Sequence, residues 1–405
     1  MVVAGLLTIV LLVGAVLLWR MSPAANTADR VAAQPIAAPP KAVGIPAAFV
    51  PAWRAPSAAT VAPIVAGSAV VTADGARVSG RDALSGAEAW SYTRDRPLCT
   101  TAAGFPTTEG RRGRVLMIYE GDTGFCSEMT ALRPDTGARV AARNADVVPG
   151  TQLLADDTFV VATGEKYLEV LRSDLVKTLE YGAVIAPAQP DRQPRTGCVY
   201  GSTALAARRL AVLERCPDDA TDRLTVLSPD PADAEKPEEE FSVLLPLVGA
   251  TVVAVSSERV AVALPKPPRL ALFDQTGTEI SQVPLDVPEV DLAADPPDGV
   301  ADTTASADGP LYWWTGSRTV ALDPVELTPR WTLPGTLGPA QPYGGGLLLP
   351  VPDGLLDVDS NTGTGLRTIP VPREDRTAPV RLATSGEVLL EQRGTDVVAL
   401  RPSGP

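Results

Sequence analysis

The chain has 405 residues, with 35 basic and 48 acidic side chains, a net charge of −13 and no histidine. The acidic balance repels phosphate backbones and argues against nucleic-acid binding unless a basic stripe exists; the densest cluster, Arg111-Arg112-Gly113-Arg114, reads as a solvated hairpin loop. Without histidine, Ser-His-Asp and Cys-His nucleophiles are excluded, as is the usual ligand of catalytic zinc, copper and non-haem iron, whereas carboxylate chemistry stays open.

An uncharged apolar run over residues 2–19 ends at Arg20. It is about the shortest stretch that spans a bilayer. A cleaved signal peptide would have a shorter apolar core and a small-residue exit, and Ser22-Pro23-Ala24 is a poor one. Residues 1–20 are therefore expected to be an uncleaved transmembrane anchor. Arg20 and Arg30 follow the run while only the amino terminus precedes it, the reverse of what an external domain requires. The expectation is a basic leader upstream of Met1. Residues 21–46 are rich in Ala and Pro and cannot bury a core, which predicts an extended, flexible linker.

From residue 47 to 405 the pattern is strand-like throughout, with almost no helical periodicity. Residues 63–92 hold four short runs separated by tight turns and closed by Trp90, the pattern of one β-propeller blade. The end of the third strand recurs at Ala83-Leu84, Ala131-Leu132, Val170-Leu171, Val226-Leu227, Leu272-Phe273, Ala321-Leu322, Asp357-Val358 and Ala399-Leu400. A polar turn follows, often Ser-Gly or Thr-Gly, as at Ser85-Gly86 and Ser403-Gly404. The spacing is about 45 residues, as in propeller arrays. The last copy, residues 379–405, lacks a Trp-bearing fourth strand, and residues 48–54, which contain Trp53, look like it. An all-β, eight-bladed propeller latched by its own ends is expected, because closure removes open sheet edges. Seven blades is the alternative, residues 151–182 being the weakest unit.

Ala83-Leu84, Ser85-Gly86 and Trp90, together with Ala321-Leu322-Asp323 and Trp331, resemble the PQQ-like (quinoprotein-type) propeller repeat, Ala-Leu-Asp-x-x-Thr-Gly-x-x-x-Trp. The resemblance runs from about Ala48 to the C-terminus and implies the same fold. The whole is similar to membrane-anchored actinobacterial proteins with this propeller. The repeat occurs in dehydrogenases and in envelope assembly scaffolds alike. The dehydrogenases hold their quinone with calcium, a stacking Trp and often adjacent cysteines; this chain has no adjacent Cys pair, so the resemblance does not carry the cofactor across.

Four cysteines, Cys99, Cys126, Cys198 and Cys216, allow three pairings. Cys99 and Cys126 fall on the first and third strands of the second unit, and Cys198 and Cys216 flank the first two strands of the fourth. Each pair thus shares one edge of a blade, and Cys99–Cys126 and Cys198–Cys216 disulfides are expected in an oxidising compartment. Free thiols in a cytosolic protein are the alternative; zinc is disfavoured without CxxC or histidine.

Asp357, Asp359 and Asn361 form a ladder that can wrap calcium, but Thr368 stands where an EF-hand has its bidentate Glu, and the same residues suit a turn. The acidic stretches 232–240 and 286–302 read as solvated loops, with docking of a basic partner as the sharper alternative. Trp313-Trp314 should point to opposite faces of one strand, for packing rather than as a stacking platform.

No catalytic, metal or cofactor residue is assigned. The expected function is a single-pass, membrane-anchored propeller on the extracytoplasmic side, a monomer binding cell-envelope protein partners as a non-catalytic scaffold. The competing expectation is an enzyme or sensor holding calcium, a quinone or another small ligand in the central channel.

Overall fold

Short apolar runs between glycine-bearing turns fold as antiparallel meanders, and residues 64–94 show how. In this computed structural model, which describes all residues except 1–9, 18–19, 21–24, 106–112, 188, 190, 307–308 and 404–405, Ile64–Ala66, Ala69–Asp74, Arg77–Asp82 and Glu88–Arg94 pair in succession. Gly75, at φ 55°, makes the turn between the second and third strands, where a Cβ would be strained. The middle strands are apolar on both faces because neighbouring sheets cover both. In Arg114–Tyr119, for example, Val115, Leu116, Met117, Ile118 and Tyr119 are all wholly buried.

The meander recurs over residues 98–147, 153–182, 199–244, 251–284, 302–334 and 341–370. The eighth sheet joins Val380–Ser385, Val388–Arg393 and Asp396–Pro402 to Phe49–Pro56 from the start of the domain. Pro51 stands opposite Leu400 and Trp53 opposite Ala399, so the termini latch the ring. The unit at 153–182 is a full four-stranded blade, which decides eight blades against seven. We number blades 1–8 in chain order and strands A to D from the inside outwards. The A strands touch their neighbours' A strands around a central channel. Turns between A and B, and between C and D, lie on one face, the AB face; the opposite face is the BC face.

The Trp and Gly of the repeat serve adjacent blades. Trp53 Nε1 donates to the Ala83 carbonyl at 2.8 Å, Trp90 to Pro134 at 2.7 Å and Trp331 to Ser360 at 3.0 Å, in each case a carbonyl in the next blade's CD turn. Each indole lies on a glycine of that turn, Gly86, Gly137 or Gly363, at φ 72–73°. Phe241 takes the place of the Trp on Gly277 between blades 4 and 5.

The expectation of a flexible linker over residues 21–46 needs correction for its described part. Thr27–Arg30 pairs antiparallel with Glu88–Arg94 as a fifth, outermost strand of blade 1. The chain then crosses the AB face as a strap. Ala32 and Ile36 N–H groups donate to Thr136 and Asp135 of blade 2, and Ser68 of blade 1 donates to the Ile36 carbonyl. Glu387 of blade 8 donates to Pro40, and Arg367 of blade 7 donates to the Ile45 and Pro46 carbonyls. Ile36 is buried in the core between blades 1 and 2. The segment is extended, as its composition dictates, but hydrogen bonds to blades 1, 2, 7 and 8 fix it in place.

Among the described residues no helix is long and apolar enough to cross a membrane. Residues 10–17 are helical and largely exposed. Residues 1–9 and 18–19 of the expected anchor, the Ser22-Pro23-Ala24 exit, Arg111-Arg112 and Gly404 lie outside the described residues.

The acidic stretches are solvated loops, as expected, with several of their carboxylates tied to neighbouring elements. Asp286 pairs with Arg318 at 3.1 Å, Asp295 with Arg215 at 2.6 Å and Asp302 with Arg381 at 2.7 Å, while Asp291 accepts from Thr315 and Ser317 at 2.6 and 2.7 Å. In the other stretch the Ala234 carbonyl accepts from the Glu180 N–H of blade 3, and Glu240 binds Arg209 at 2.7 Å. These carboxylates tie connections down, while Glu289 and Asp298 are exposed. Trp313 is buried between blades 5 and 6, and Trp314 donates to the Thr336 carbonyl at 3.2 Å, as expected for packing residues.

Candidate functional site

The A strands end at the AB face, and their small side chains leave the channel wide there. A cavity of about 790 Å³ is bounded by blades 3 to 6, with Leu154, Ala204, Ala206, Val253, Ala254 and Ala301 among its apolar walls and Thr158, Thr203, Thr303 and Ser306 as hydroxyls. A second, of about 470 Å³, lies against blades 1 to 3, between Ala66, Gly104 and Phe105. Both touch Ala155, Asp156 and Asp157, so the AB turn of blade 3 stands between them.

That turn carries two carboxylates with different duties. Asp156 Oδ1 accepts from the N–H groups of Thr158 and Phe159, both at 2.7 Å, and its other oxygen from the Arg208 N–H at 3.3 Å, so it shapes the loop. Asp157 is exposed, and among the described residues no hydrogen bond or ion pair engages its carboxylate. Some of the left-handed backbone lies at the mouth, while Leu175, Asp191, Asp298 and Leu327 adopt it elsewhere. Phe105 (φ 54°), Ala207 (φ 51°) and Arg208 (φ 59°) are non-glycine residues in the left-handed region, and all three line the cavities. Each costs about 1–3 kcal/mol, and Ala207-Arg208 is the two-residue turn between paired Ala206 and Arg209. Arg208 is held with its guanidinium 4.9 Å from the Phe159 ring centre and 3.7 Å from Asp230.

Toward the BC face the channel is crossed by an ion pair. Arg381, on strand A of blade 8, donates to Asp302, on strand A of blade 6, at 2.7 Å and to the Val61 carbonyl at 3.3 Å. Burial raises the Asp302 carboxyl above its ordinary range, and Arg381 only partly opposes this. The remaining arc of the AB mouth, over blades 1, 8 and 7, is occupied by the strap. Lys41 and Ala42 form a wall of a smaller space with Tyr343, Gly344, Thr384 and Gly386. The glycines here have no room for a Cβ: at Gly344 it would meet the Gly44 backbone at 2.6 Å, and at Gly386 the Pro40 carbonyl at 2.3 Å.

The cysteines pair as expected. Cys99–Cys126 and Cys198–Cys216 are disulfides, and no described cysteine is free. Cys198 and Cys216 lie close to Glu214, but their sulfurs are bonded to each other. Glu214 accepts from Tyr181 at 2.6 Å, Arg195 at 3.0 Å and Thr225 at 2.5 Å, so the trio is a structural cluster. Asp359 likewise accepts the Asn361 and Thr362 N–H groups at 2.9 and 3.0 Å, and Asp357 pairs with Arg367, which makes the aspartate ladder a turn. With every cysteine committed to a cross-strand disulfide and the ladder folded on itself, the residues present do not fit a quinone held by calcium and adjacent cysteines. Sequence reasoning missed the mouth residues Asp157, Ala207 and Arg208. The one signal was an Ala-Arg pair at a hairpin turn where Asn-Gly is the usual choice.

No protein-family model matches the chain, and no curated protein matches it in sequence. In architecture it is similar to the computationally designed Ika8 protein, at 11% identity and a TM-score of 0.51 over 91% of this chain and 100% of that one. It is also similar to the dihydro-heme d1 dehydrogenase NirN, solved in complex with DHE, at 12% identity and a TM-score of 0.50 over 86% of this chain and 78% of that one. At such identities the likeness is one of fold. The chain is an eight-bladed, all-β propeller with two disulfides.

Proposed function

We propose that the protein is a membrane-anchored, extracytoplasmic scaffold that binds a cell-envelope protein on its AB face and performs no chemistry itself. The observation that carries this reading is the strap: residues 31–46 already lie on that face as a bound, extended peptide, held by backbone hydrogen bonds and glycine turns. Two disulfides suit an oxidising compartment, and the apolar run at residues 2–19 suits an anchor. The repeat is of PQQ-like type in this reading, supported by the Trp-on-Gly seams. The mouth's charged groups do not form an acid–base pair: Asp156 caps its own turn and Arg208 lies on Phe159. The scaffold is a monomer in this reading and binds no nucleic acid, given its net charge of −13.

A photo-reactive residue at Ala207, on the AB face, and one at Asp353, on the BC face, test it in intact envelope membranes. A discrete protein adduct at Ala207 and none at Asp353 is expected. Stoichiometric calcium or quinone in the purified protein, found by metal analysis and an absorbance scan, would overturn it. The cavity of about 790 Å³ favours a second reading, a small-ligand sensor, since its volume lies in the range of ligand pockets.

A further inference from the structure

Resting on the scaffold reading, we infer that the partner docks on the track beneath the strap itself, and that its docking segment is an extended peptide bearing Ile and Pro that takes the strap's place. The track is a built peptide site over blades 1, 2, 8 and 7. Ile36 fills a core shared by blades 1 and 2, with Ala66, Ala69, Trp90 and Val115 among its members. Ala42 and Ile45 pack on the core of blades 7 and 8, and a Cβ on Gly346 would lie 2.5 Å from Ile45 Cδ1. Between these two sockets Pro39 and Pro40 rest on Gly386, whose added Cβ would stand 2.9 Å from the Pro39 ring.

The polar contacts along the track are to main chain. The Ala32 and Ile36 N–H groups donate to the Thr136 and Asp135 carbonyls, both at 2.9 Å. The Ile36 carbonyl accepts from the Ser68 hydroxyl at 2.7 Å, and the Pro40 carbonyl accepts from the Glu387 N–H at 2.7 Å. Any extended chain can make such bonds, so the two Ile sockets and the glycine shelf for proline decide which chain does. Prolines also order a segment before it docks, which reduces the entropy lost on binding.

The strap holds this track loosely. Ten of residues 31–46 are exposed, only Ile36 is buried, and Val43 stands wholly clear of the blades. A segment with so few buried contacts opens at a much lower free energy than the blades beneath it. Opening empties both sockets and leaves the Asp135 and Thr136 carbonyls and the Glu387 N–H without their strap partners, so the vacated track favours a replacement. The strap is therefore a competing ligand, and the partner's apparent affinity is scaled down by the fraction of time the strap is off.

The test uses the purified full chain, with a fluorescein-labelled peptide of the sequence of residues 31–46 as the probe. By fluorescence anisotropy the peptide should bind Ile36→Asp saturably and about tenfold or more tighter than wild type, because that variant's own strap is off the track. Ile36→Ala, a milder change, should show the same direction of effect. A peptide with Asp at the position of Ile36 should not bind. In the wild-type chain, saturating peptide should speed hydrogen exchange at the Ala32 and Ile36 amides about tenfold or more, with the amides of Asp396–Pro402 unchanged. Absence of saturable binding to both variants, equal affinity for variants and wild type, or unchanged exchange in the wild type would each overturn the inference. A strap-exchanged dimer of the wild-type chain, seen by sedimentation, would assign the track to a second copy and overturn it too. If the peptide fails while the Ala207 probe still traps an envelope protein, the scaffold reading stands and this inference falls.

Discussion

A single Cβ decides whether two blades can meet. At Gly137 an added Cβ would lie 2.6 Å from the Trp90 ring, on a backbone with φ 73° that L-residues resist. Gly137→Ala therefore combines strain with an overlap between rigid groups. It should destabilise the protein by about 2–4 kcal/mol, against about 1 kcal/mol for Trp90→Phe, which loses the bond to the Pro134 carbonyl but keeps most of the packing. Denaturant melts of both variants check the order. Glu169 offers a pH test. It is wholly buried, one of its oxygens has no partner, and burial raises its carboxyl pKa even though Arg143 opposes this from 3.9 Å. The native state therefore holds the proton more tightly than the unfolded chain does. Wild-type stability falls as pH rises from the ordinary carboxylate range through the raised value. Glu169→Gln removes that dependence while keeping an acceptor for Tyr167. Its melting temperature relative to wild type should rise with pH across that window; a constant difference would show that Glu169 is ionised throughout.

Which elements were legible follows from where their partners lie in sequence. Each blade writes its own strands and turns within a few tens of residues, so Ile64–Ala66 through Glu88–Arg94 can be read from local pattern alone. Even the long-range pairing of Phe49–Pro56 with Asp396–Pro402 was legible, because one end lacks a strand that the other supplies. The strap was not. Ala/Pro composition carries no periodicity, and what orders residues 31–46 is a row of partners from distant blades: the Asp135 and Thr136 carbonyls of blade 2, and donors from Ser68 of blade 1, Glu387 of blade 8 and Arg367 of blade 7. The mouth was hidden for a similar reason: Asp157 and Ala254 share a cavity only because a ring places blades 3 and 5 around one axis. Ile36 is the strap's buried anchor, 8% exposed in a core otherwise built largely by the blades. Ile36→Asp should release it at a cost of about 2–4 kcal/mol. Hydrogen exchange at the Ala32 and Ile36 amides should rise sharply, while the amides of Asp396–Pro402 stay protected. Equal loss at both places would mean that strap and latch open as one unit.

For the whole molecule, the fixed strap changes what a membrane anchor would do. A free linker over residues 21–46 would let the propeller wander some tens of ångströms from the bilayer and face any direction. Instead Thr27 stands opposite Arg94, whose N–H donates to the Ala76 carbonyl in the BC turn of blade 1, so the chain before residue 27 leaves from the BC face. Only residues 21–26 separate Arg20 from that sheet, a reach of about 20 Å when fully extended. Were residues 1–20 embedded as proposed, the BC edge of blade 1 would be held near the lipid and the AB mouth would be turned away from it. The net charge of −13 works in the same sense, since an acidic domain gains nothing by lying flat on anionic lipid. The full chain in proteoliposomes, labelled through Ala76→Cys or Ala207→Cys, tests this with a quencher carried on the lipid headgroups. The label at residue 76 should be strongly quenched and the label at residue 207 nearly unaffected. Equal quenching of the two would show that the strap lets go at the membrane, and the mouth would then have no fixed outward direction.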